Sequence, residues 1–208
     1  MYTCISGETG CPVANKYQIG SAVSQTAYIS HHTAMEYYGV CDQVYYDVYV
    51  SSETPFKEFE FDGYTYCYVA SKCKLGIENV HYSGGVRITD KERTTLDSIK
   101  DMDKISGIEE VLANIDGFTS LNEEKLTGYL QEYHNQFLYQ KTGFILYPYR
   151  DKLGLSHSFF EMCQYKTGKS KRYLTKEFTN GTYIKEWKLV VPDEIYKLKN
   201  GAFQDDRI

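Results

Sequence analysis

The sequence is poor in proline, lacks long apolar runs and has no overall excess of basic charge. Only 4 of its 208 residues are proline, while 42% are apolar and 25% are charged. That balance is typical of a globular chain and excludes the disordered, collagen-like and coiled-coil classes. No stretch approaches the ~18 consecutive apolar residues that a membrane-spanning helix needs, so no membrane partner is expected. The length is compatible with one large domain or two small ones.

The amino terminus lacks the basic start and the apolar segment of a secretory signal. We therefore expect a cytoplasmic protein with reduced thiols. Its six cysteines do not follow the spacing of a zinc site, because Cys4 and Cys11 are separated by six residues and Cys67 and Cys73 by five. Neither a metal nor another cofactor is expected.

The net charge of −5 is unevenly distributed along the chain. Residues 1–110 carry 9 basic and 16 acidic side chains, whereas residues 111–208 carry 14 and 12. The second half contains one concentrated basic run, which consists of Lys166, Lys169, Lys171, Arg172 and Lys176. Such a run is typical of a solvated loop or strand edge, where lysine discourages pairing with another sheet. The alternative is a contact surface for a partner or for nucleic acid.

Periodicity predicts two short helices and then a β region in the first half. Asn15 is expected to cap a helix with Tyr17, Ala22 and Val23 inward, and a second helix is expected from Ser30 to Gly39. A hairpin is predicted around Asp62-Gly63, a dipeptide that favours a type I′ turn. The expected strands cover residues 1–6, 44–50, 57–61, 64–69 and 77–88, the last with a bulge at Ser83-Gly84.

From residue 89 the apolar period becomes helical. Three capping boxes, which begin at Thr89, Ser106 and Ser120, predict three consecutive helix starts. Further helices are expected over residues 136–148 and 156–165, followed by strands over 171–175 and 183–191 that Pro192 ends. Together the patterns predict an α+β fold with a mixed β-sheet, an Asp-Gly hairpin and a flanking cluster of helices.

No residue pattern identifies a catalytic site. The glycine pair Gly84-Gly85 lies between strands and lacks the following lysine of a phosphate-binding loop. Arg150 and His157 match the loose Arg-x(4–6)-His pattern of helical ribonucleases, but chance supplies such matches often and Gly154 interrupts the helix. The 21 tyrosines suit half-exposed sheet faces and partner surfaces alike, and of the two we favour packing. We expect a protein that is not an enzyme and has no small-molecule substrate.

Four segments, residues 27–39, 48–50, 86–97 and 107–111, carry a series of motifs. In this order and spacing they resemble the AbiEi family of bacterial antitoxins, and the resemblance spans about residues 1 to 195. Its most specific element consists of Thr89, Asp90, Glu92, Arg93 and Asp97. This element coincides with a capping box, and Arg93 and Asp97 are near enough in a helix to form an ion pair. We therefore expect these five residues to have a structural role.

The resemblance implies a winged helix-turn-helix domain that binds operator DNA, followed by a larger antitoxin domain. In this sequence the first domain is expected to be largely absent, with residues 1–26 as a remnant of its wing and a connecting helix, residues 27–195 as the antitoxin domain and residues 196–208 as a tail. The implied function is to counteract a nucleotidyltransferase-like toxin in a type IV toxin–antitoxin system of phage abortive infection, where the two proteins need not form a stable complex. The alternative is a transcriptional autorepressor of the same operon that binds operator DNA.

Overall fold

The structure is a computed structural model that describes residues 3–41, 43–81, 84–105, 107–177 and 179–196. The chain has the predicted α+β fold and forms two compact units, Met1–Thr94 and Thr95–Ile208, hereafter the first and the second unit. The sequence patterns do not indicate this division, and the expected boundaries after residues 26 and 195 stay predictions. Among the described residues, no helix combines the length and the apolar character needed to cross a membrane.

The first unit is built on a mixed six-stranded sheet, as predicted. The strand order is β3-β4-β2-β1-β6-β5, with β1 parallel to β6, β2 parallel to β4 and the other neighbours antiparallel. Ile29, Val50 and Ile88 of the central strands are fully buried and belong to its core. The elements are α1 (Lys16–Ser21), β1 (Tyr28–Ile29), α2 (His31–Tyr37), β2 (Asp47–Ser52), β3 (Phe59–Phe61), β4 (Tyr64–Ala70), β5 (Ile77–Val80), β6 (Val86–Thr89) and the start of α3 (Lys91–Asp101).

Helix α1 begins at its predicted cap. The Asn15 side chain accepts a hydrogen bond from the Gln18 backbone, and the Gln18 side chain accepts one from the Asn15 backbone. Of the three residues expected to face inward, Ala22 is exposed because the helix ends one residue before it. The helix instead approaches the sheet through Gly20, where an added Cβ would lie 2.7 Å from the Ile29 Cδ1 atom.

Two turns that depend on glycine are confirmed. Gly39 follows α2 with a φ of 70°, the left-handed conformation that commonly ends helices. Asp62 and Gly63 have φ values of 50° and 77° and join β3 to β4, as a type I′ turn requires. A two-residue turn of this type places Phe59 opposite Tyr66, as the structure has them, and the two rings stack with their centroids 4.7 Å apart.

The segment over residues 77–88 was expected to be one bulged strand, and that prediction is wrong. It forms two antiparallel strands, β5 and β6, in which Val80 lies opposite Val86. The reason is that Gly84 and Gly85 have φ values of 71° and 86°, so they belong to the connection between two strands. Ser83, the other residue of the predicted bulge, lies outside the described residues.

Two other strands differ from prediction in their extent. The strand expected over 44–50 begins only at Asp47, and Val44 and Tyr46 before it are 71% and 67% exposed. The strand expected over residues 1–6 is reduced, among the described residues, to a single antiparallel bridge between Ile5 and Pro12. The sequence pattern therefore extends further along the chain than the residues that pair with a neighbouring strand.

The second unit contains the predicted run of helices. Ser120 was predicted to cap the helix α5 (Glu123–Tyr133), but the cap is Asn122. The Asn122 side chain accepts a hydrogen bond from the Lys125 backbone. Glu123 does not complete a capping box, since its carboxylate accepts hydrogen bonds from the Ser156 backbone and hydroxyl. Ser106 lies outside the described residues. The helices are the rest of α3, then α4 (Gly107–Asp116), α5 (Glu123–Tyr133), α6 (Gln136–Leu146), α7 (Arg150–Leu153) and α8 (His157–Lys166).

A three-stranded sheet follows these helices in the second unit. Its strands are β7 (Arg172–Tyr173), β8 (Gly181–Ile184) and β9 (Leu189–Pro192), in the order β7-β9-β8. The single strand expected over residues 183–191 is wrong, because the chain turns between Ile184 and Leu189 and pairs β8 with β9 as a hairpin. Pro192 is the last residue of β9, opposite Gly181.

Candidate functional site

The element that carries the family resemblance begins where β6 passes into α3. Thr89 was expected to cap the helix, but it is the last residue of β6, and its hydroxyl bonds the Thr94 hydroxyl at 2.7 Å. The cap is Asp90, whose carboxylate accepts a hydrogen bond of 2.8 Å from the Arg93 backbone. The N-cap is therefore one residue later than the sequence predicts, because Thr89 still belongs to the sheet.

Arg93 is the largest fully buried side chain of the described residues. Its guanidinium donates to the carbonyl oxygen of Leu75 at 2.7 Å and to the sulfur of Cys73 at 2.8 Å. It also donates to the Ser71 hydroxyl at 3.2 Å. A guanidinium holds five N–H donors in a planar fork, whereas the three donors of a lysine ammonium all sit on one nitrogen, so arginine reaches acceptors that are farther apart. Arg93 thus fixes the segment between β4 and β5.

All five residues of the element are buried, with exposures between 0 and 7%. The Asp97 carboxylate accepts a hydrogen bond from the Tyr133 hydroxyl. The expected ion pair between Arg93 and Asp97 stays a prediction. These side chains are buried and make their contacts within the protein. They therefore support a structural role for the element and are not accessible to a partner.

The basic run, by contrast, forms an exposed surface of the second unit. Lys166 ends α8, Lys169 and Lys171 lie in the connection to the small sheet, Arg172 opens β7, and Lys176 follows it. All five side chains are exposed. Within the part of the chain that the structure describes, none of them forms an ion pair with a carboxylate. We call these five residues the basic surface.

Aromatic rings lie beneath and beside this surface. The Lys171 ammonium lies 5.8 Å from the centroid of Tyr173 and 5.4 Å from that of Tyr183. The guanidinium carbon of Arg172 lies 5.9 Å from the centroid of Phe137. Such contacts contribute about 0.5–1 kcal/mol at exposed sites and hold the cations in defined positions. The sequence pattern missed Tyr183, because the β8–β9 hairpin brings it to Lys171 from twelve positions away.

A buried cation underlies one edge of the surface. The Lys141 ammonium lies 3.6 Å from the Asp103 carboxylate, and the same carboxylate accepts a hydrogen bond from the Lys176 backbone. Burial lowers the pKa of Lys141, while the neighbouring Asp103 opposes that shift. The Asp103 carboxylate therefore contacts the Lys141 ammonium and the backbone of residue 176, and it forms no ion pair with the exposed ammonium of Lys176.

The ribonuclease pattern is not assembled on one helix. Arg150 lies in α7 and His157 in α8, with Gly154 between them at a φ of 70°. The Arg150 guanidinium lies over the Tyr147 ring at 4.7 Å. The imidazole of His157 lies 3.5 Å from the Glu161 carboxylate. Each of the two residues thus has its own neighbour three or four positions away in the sequence.

A serine–histidine pair in the first unit was not foreseen. The Ser30 hydroxyl lies 2.8 Å from His31 Nδ1 and 2.8 Å from the Ser51 hydroxyl. Ser30 and His31 are 0% and 1% exposed, so no substrate reaches them. The pair ties the start of α2 to β2 and has a structural role.

The solved structure of the RV2827C protein from Mycobacterium tuberculosis is similar to this chain, with a TM-score of 0.64. The two sequences are 12% identical, and the match covers 87% of this chain and 69% of that one. At such an identity the similarity concerns the fold alone. No family model and no curated protein matches the chain.

Proposed function

We propose that this protein is an antitoxin of the AbiEi type that counteracts a nucleotidyltransferase-like toxin in a bacterial abortive-infection system. It acts in the cytoplasm by interaction or counteraction, as a protein that is not an enzyme and uses no cofactor. The proposal rests on the motif series, and one structural observation carries it further.

That observation is the position of the motif segments in the first unit. Residues 27–39 contain β1, residues 48–50 lie in β2 and residues 86–97 contain β6. These three strands are neighbours in the order β2-β1-β6, although the segments are far apart in the sequence. Because the segments that resemble the family meet at the centre of one sheet, they support the proposal that this chain shares the architecture of that family.

Because the motif residues are buried, the basic surface is the best candidate for contact with a partner among the described residues. Five exposed cations that form no ion pair with a carboxylate of the described residues present a strong local field. An acidic face of the toxin, or the nucleic acid on which such a toxin acts, is the chemistry that this surface complements. Charge reversal there is therefore the most informative change for the antitoxin activity.

A growth-rescue assay tests the proposal. The linked toxin-like gene is induced in cells with and without this chain, and with a variant in which Lys169, Lys171 and Arg172 are changed to Glu. The unaltered chain restores growth and the variant does not. The matched control reverses three exposed lysines of the first unit, Lys57, Lys72 and Lys74, and still restores growth. Absence of rescue by the unaltered chain, at a confirmed soluble protein level, contradicts the proposal.

The alternative function is a transcriptional autorepressor, and the charge of the basic surface favours it. Phosphate contacts by lysine and arginine dominate duplex affinity and weaken steeply with salt. A gel-shift titration on the DNA upstream of the operon distinguishes this function from nonspecific binding. A specific complex that weakens as salt rises supports it, whereas equal affinity for unrelated DNA removes it.

A further inference from the structure

The small sheet of the second unit carries two tyrosines in one row. Tyr173 of β7 and Tyr183 of β8 both lie opposite Val190 of β9. Residues in register on neighbouring strands project from the same face of a sheet. The tyrosines are 54% and 46% exposed, whereas Val190 between them is 5% exposed. Two partly accessible rings therefore stand on either side of a covered valine.

A cation lies between the two rings. The Lys171 ammonium is within 5.8 Å of both ring centroids and forms no ion pair with a described carboxylate. The chain over residues 166–188 carries seven basic side chains and only two acidic ones, Glu177 and Glu186, although the whole protein has a net charge of −5. The segment that bears the rings is therefore basic within an acidic protein, and Lys171 places one of its cations beside the rings, which makes the segment complementary to a polyanion.

We propose that this face binds an unpaired nucleic acid strand, with bases stacked on Tyr173 and Tyr183 and a phosphate held by Lys171. Aromatic side chains on a sheet face, combined with cations for the backbone, are a general way of binding single strands. The strand spacing places the two tyrosine backbones two strands apart, about 9.6 Å. Each ring can therefore receive a different base, with Lys171 near the backbone that connects them.

The rings distinguish this partner from duplex DNA. In a duplex, the bases are stacked on one another and cannot stack on a protein ring unless the helix is opened. Exposed cations alone serve any polyanion, but half-exposed tyrosines beside a lysine add affinity only when bases are free. The basic surface extends the field along the bound strand, since Lys169 precedes β7 and Lys176 follows it.

Fluorescence anisotropy with the full chain tests this inference. The probes are labelled oligouridylate and oligothymidylate of about 12 nucleotides, within the site sizes of single-strand binders, and a duplex of the same length. We expect at least one of the single strands to bind about tenfold more tightly than the duplex, because each stacked base contributes a factor of that order. The two single strands differ in the sugar hydroxyl and in the methyl group of the base, and a preference for either strand over the duplex supports the inference.

Matched variants separate stacking from charge. Combined Tyr173→Ala and Tyr183→Ala changes weaken single-strand binding about tenfold or more and leave duplex binding unchanged. Combined Tyr173→Phe and Tyr183→Phe changes keep the affinity within about twofold, because the ring face remains. Lys171→Ala reduces the salt dependence by about 0.7 in the logarithmic slope, the value for one phosphate on a single strand. Tyr46→Ala, at a tyrosine of the first unit that is 67% exposed, changes nothing.

Two results overturn the inference. One is duplex binding as tight as that of both single strands, and the other is unaltered single-strand binding by the double alanine variant that melts like the parent chain. The inference does not rest on the antitoxin function. If the unaltered chain rescues growth but does not bind either single strand, only the nucleic-acid site is refuted, and if it binds without rescue, only the antitoxin proposal is refuted.

Discussion

The guanidinium of Arg93 lies 2.7 Å from the carbonyl oxygen of Leu75 and ties the start of α3 to the connection between β4 and β5. It also donates to the Cys73 carbonyl at 3.4 Å. A fully buried side chain therefore satisfies backbone groups of this connection. The most specific element of the family resemblance thus acts on the architecture of the first unit.

Removal of the guanidinium is expected to destabilise the protein strongly. Arg93→Met keeps much of the volume but leaves buried acceptors without a donor, which costs about 3 kcal/mol of unfolding free energy. Arg93→Lys loses part of this amount, because one ammonium cannot reach all the acceptors. Urea denaturation measures both variants. Arg150→Met, at a partly exposed arginine over Tyr147, is the control and changes the free energy by less than about 0.5 kcal/mol.

Two helical glycines are expected to respond to alanine with opposite signs. A Cβ on Gly143 of α6 would lie 2.0 Å from Trp187 Cζ3, so Gly143→Ala forces the ring to move and costs about 1–3 kcal/mol. Gly128 of α5 has no neighbour within 4 Å of an added Cβ, and Gly128→Ala gains about 0.5–1 kcal/mol through helix propensity. Thermal melts of the two variants give the comparison. Equal shifts of the same sign would contradict this packing of α6 on Trp187.

The cap of α5 is testable by a similar pair. Asn122→Ala removes the side chain that accepts from the Lys125 backbone and is expected to cost about 1 kcal/mol. Ser120→Ala, at the position that the sequence pattern favoured, is expected to change little. Denaturation curves of the two variants decide between the positions. A larger loss of unfolding free energy for Ser120→Ala than for Asn122→Ala would indicate that Ser120 is the cap.

The pH dependence of stability contains a contribution from Cys163. Burial raises the pKa of its thiol from 9.0 to about 12, with a smaller contribution from Glu123. The folded protein therefore keeps a proton that the unfolded chain loses, so this stabilisation is complete below pH 9 and is lost as pH rises from 9 to 12. In that window the unfolding free energy should fall more steeply for the parent than for Cys163→Ala, by about 1 kcal/mol per pH unit.

Reduced samples of both proteins in a pH series provide the slopes, and the other titrating groups cancel in the comparison. Cys4→Ala, at an exposed thiol, is the control for the loss of a thiol as such. Identical slopes for the parent and Cys163→Ala would show that the buried thiol does not contribute.

Local chemistry made part of the fold predictable. The Asp62-Gly63 turn and its register follow from two residues that favour positive φ, and the cap at Asn15 follows from its spacing to Gln18. Ile29 pairs with Ile88 in parallel strands, and no local pattern encodes a contact over that separation. The pattern at Ser83-Gly84 predicts a bulge where the chain makes a turn, because a glycine supplies the same backbone freedom to both.

The candidate site was predictable only in its contiguous part. The run from Lys166 to Lys176 is visible in the sequence because its charges are neighbours along the chain. Tyr183 lies in one row with Tyr173 because β7 and β8 both pair with β9. The sequence pattern did not indicate this arrangement, since it predicts a single strand over residues 183–191. The burial of Arg93 was equally hidden, since arginine is among the residue types that are rarely fully buried.

Growth of cells that express the linked nucleotidyltransferase-like toxin, measured as colony counts with and without this chain, tests the antitoxin function most directly. The account predicts that counts return to the level of cells without toxin, and that the Arg93→Met variant loses rescue only as far as its soluble level falls. Counts that stay low at a soluble protein level equal to or above that of the toxin would contradict it.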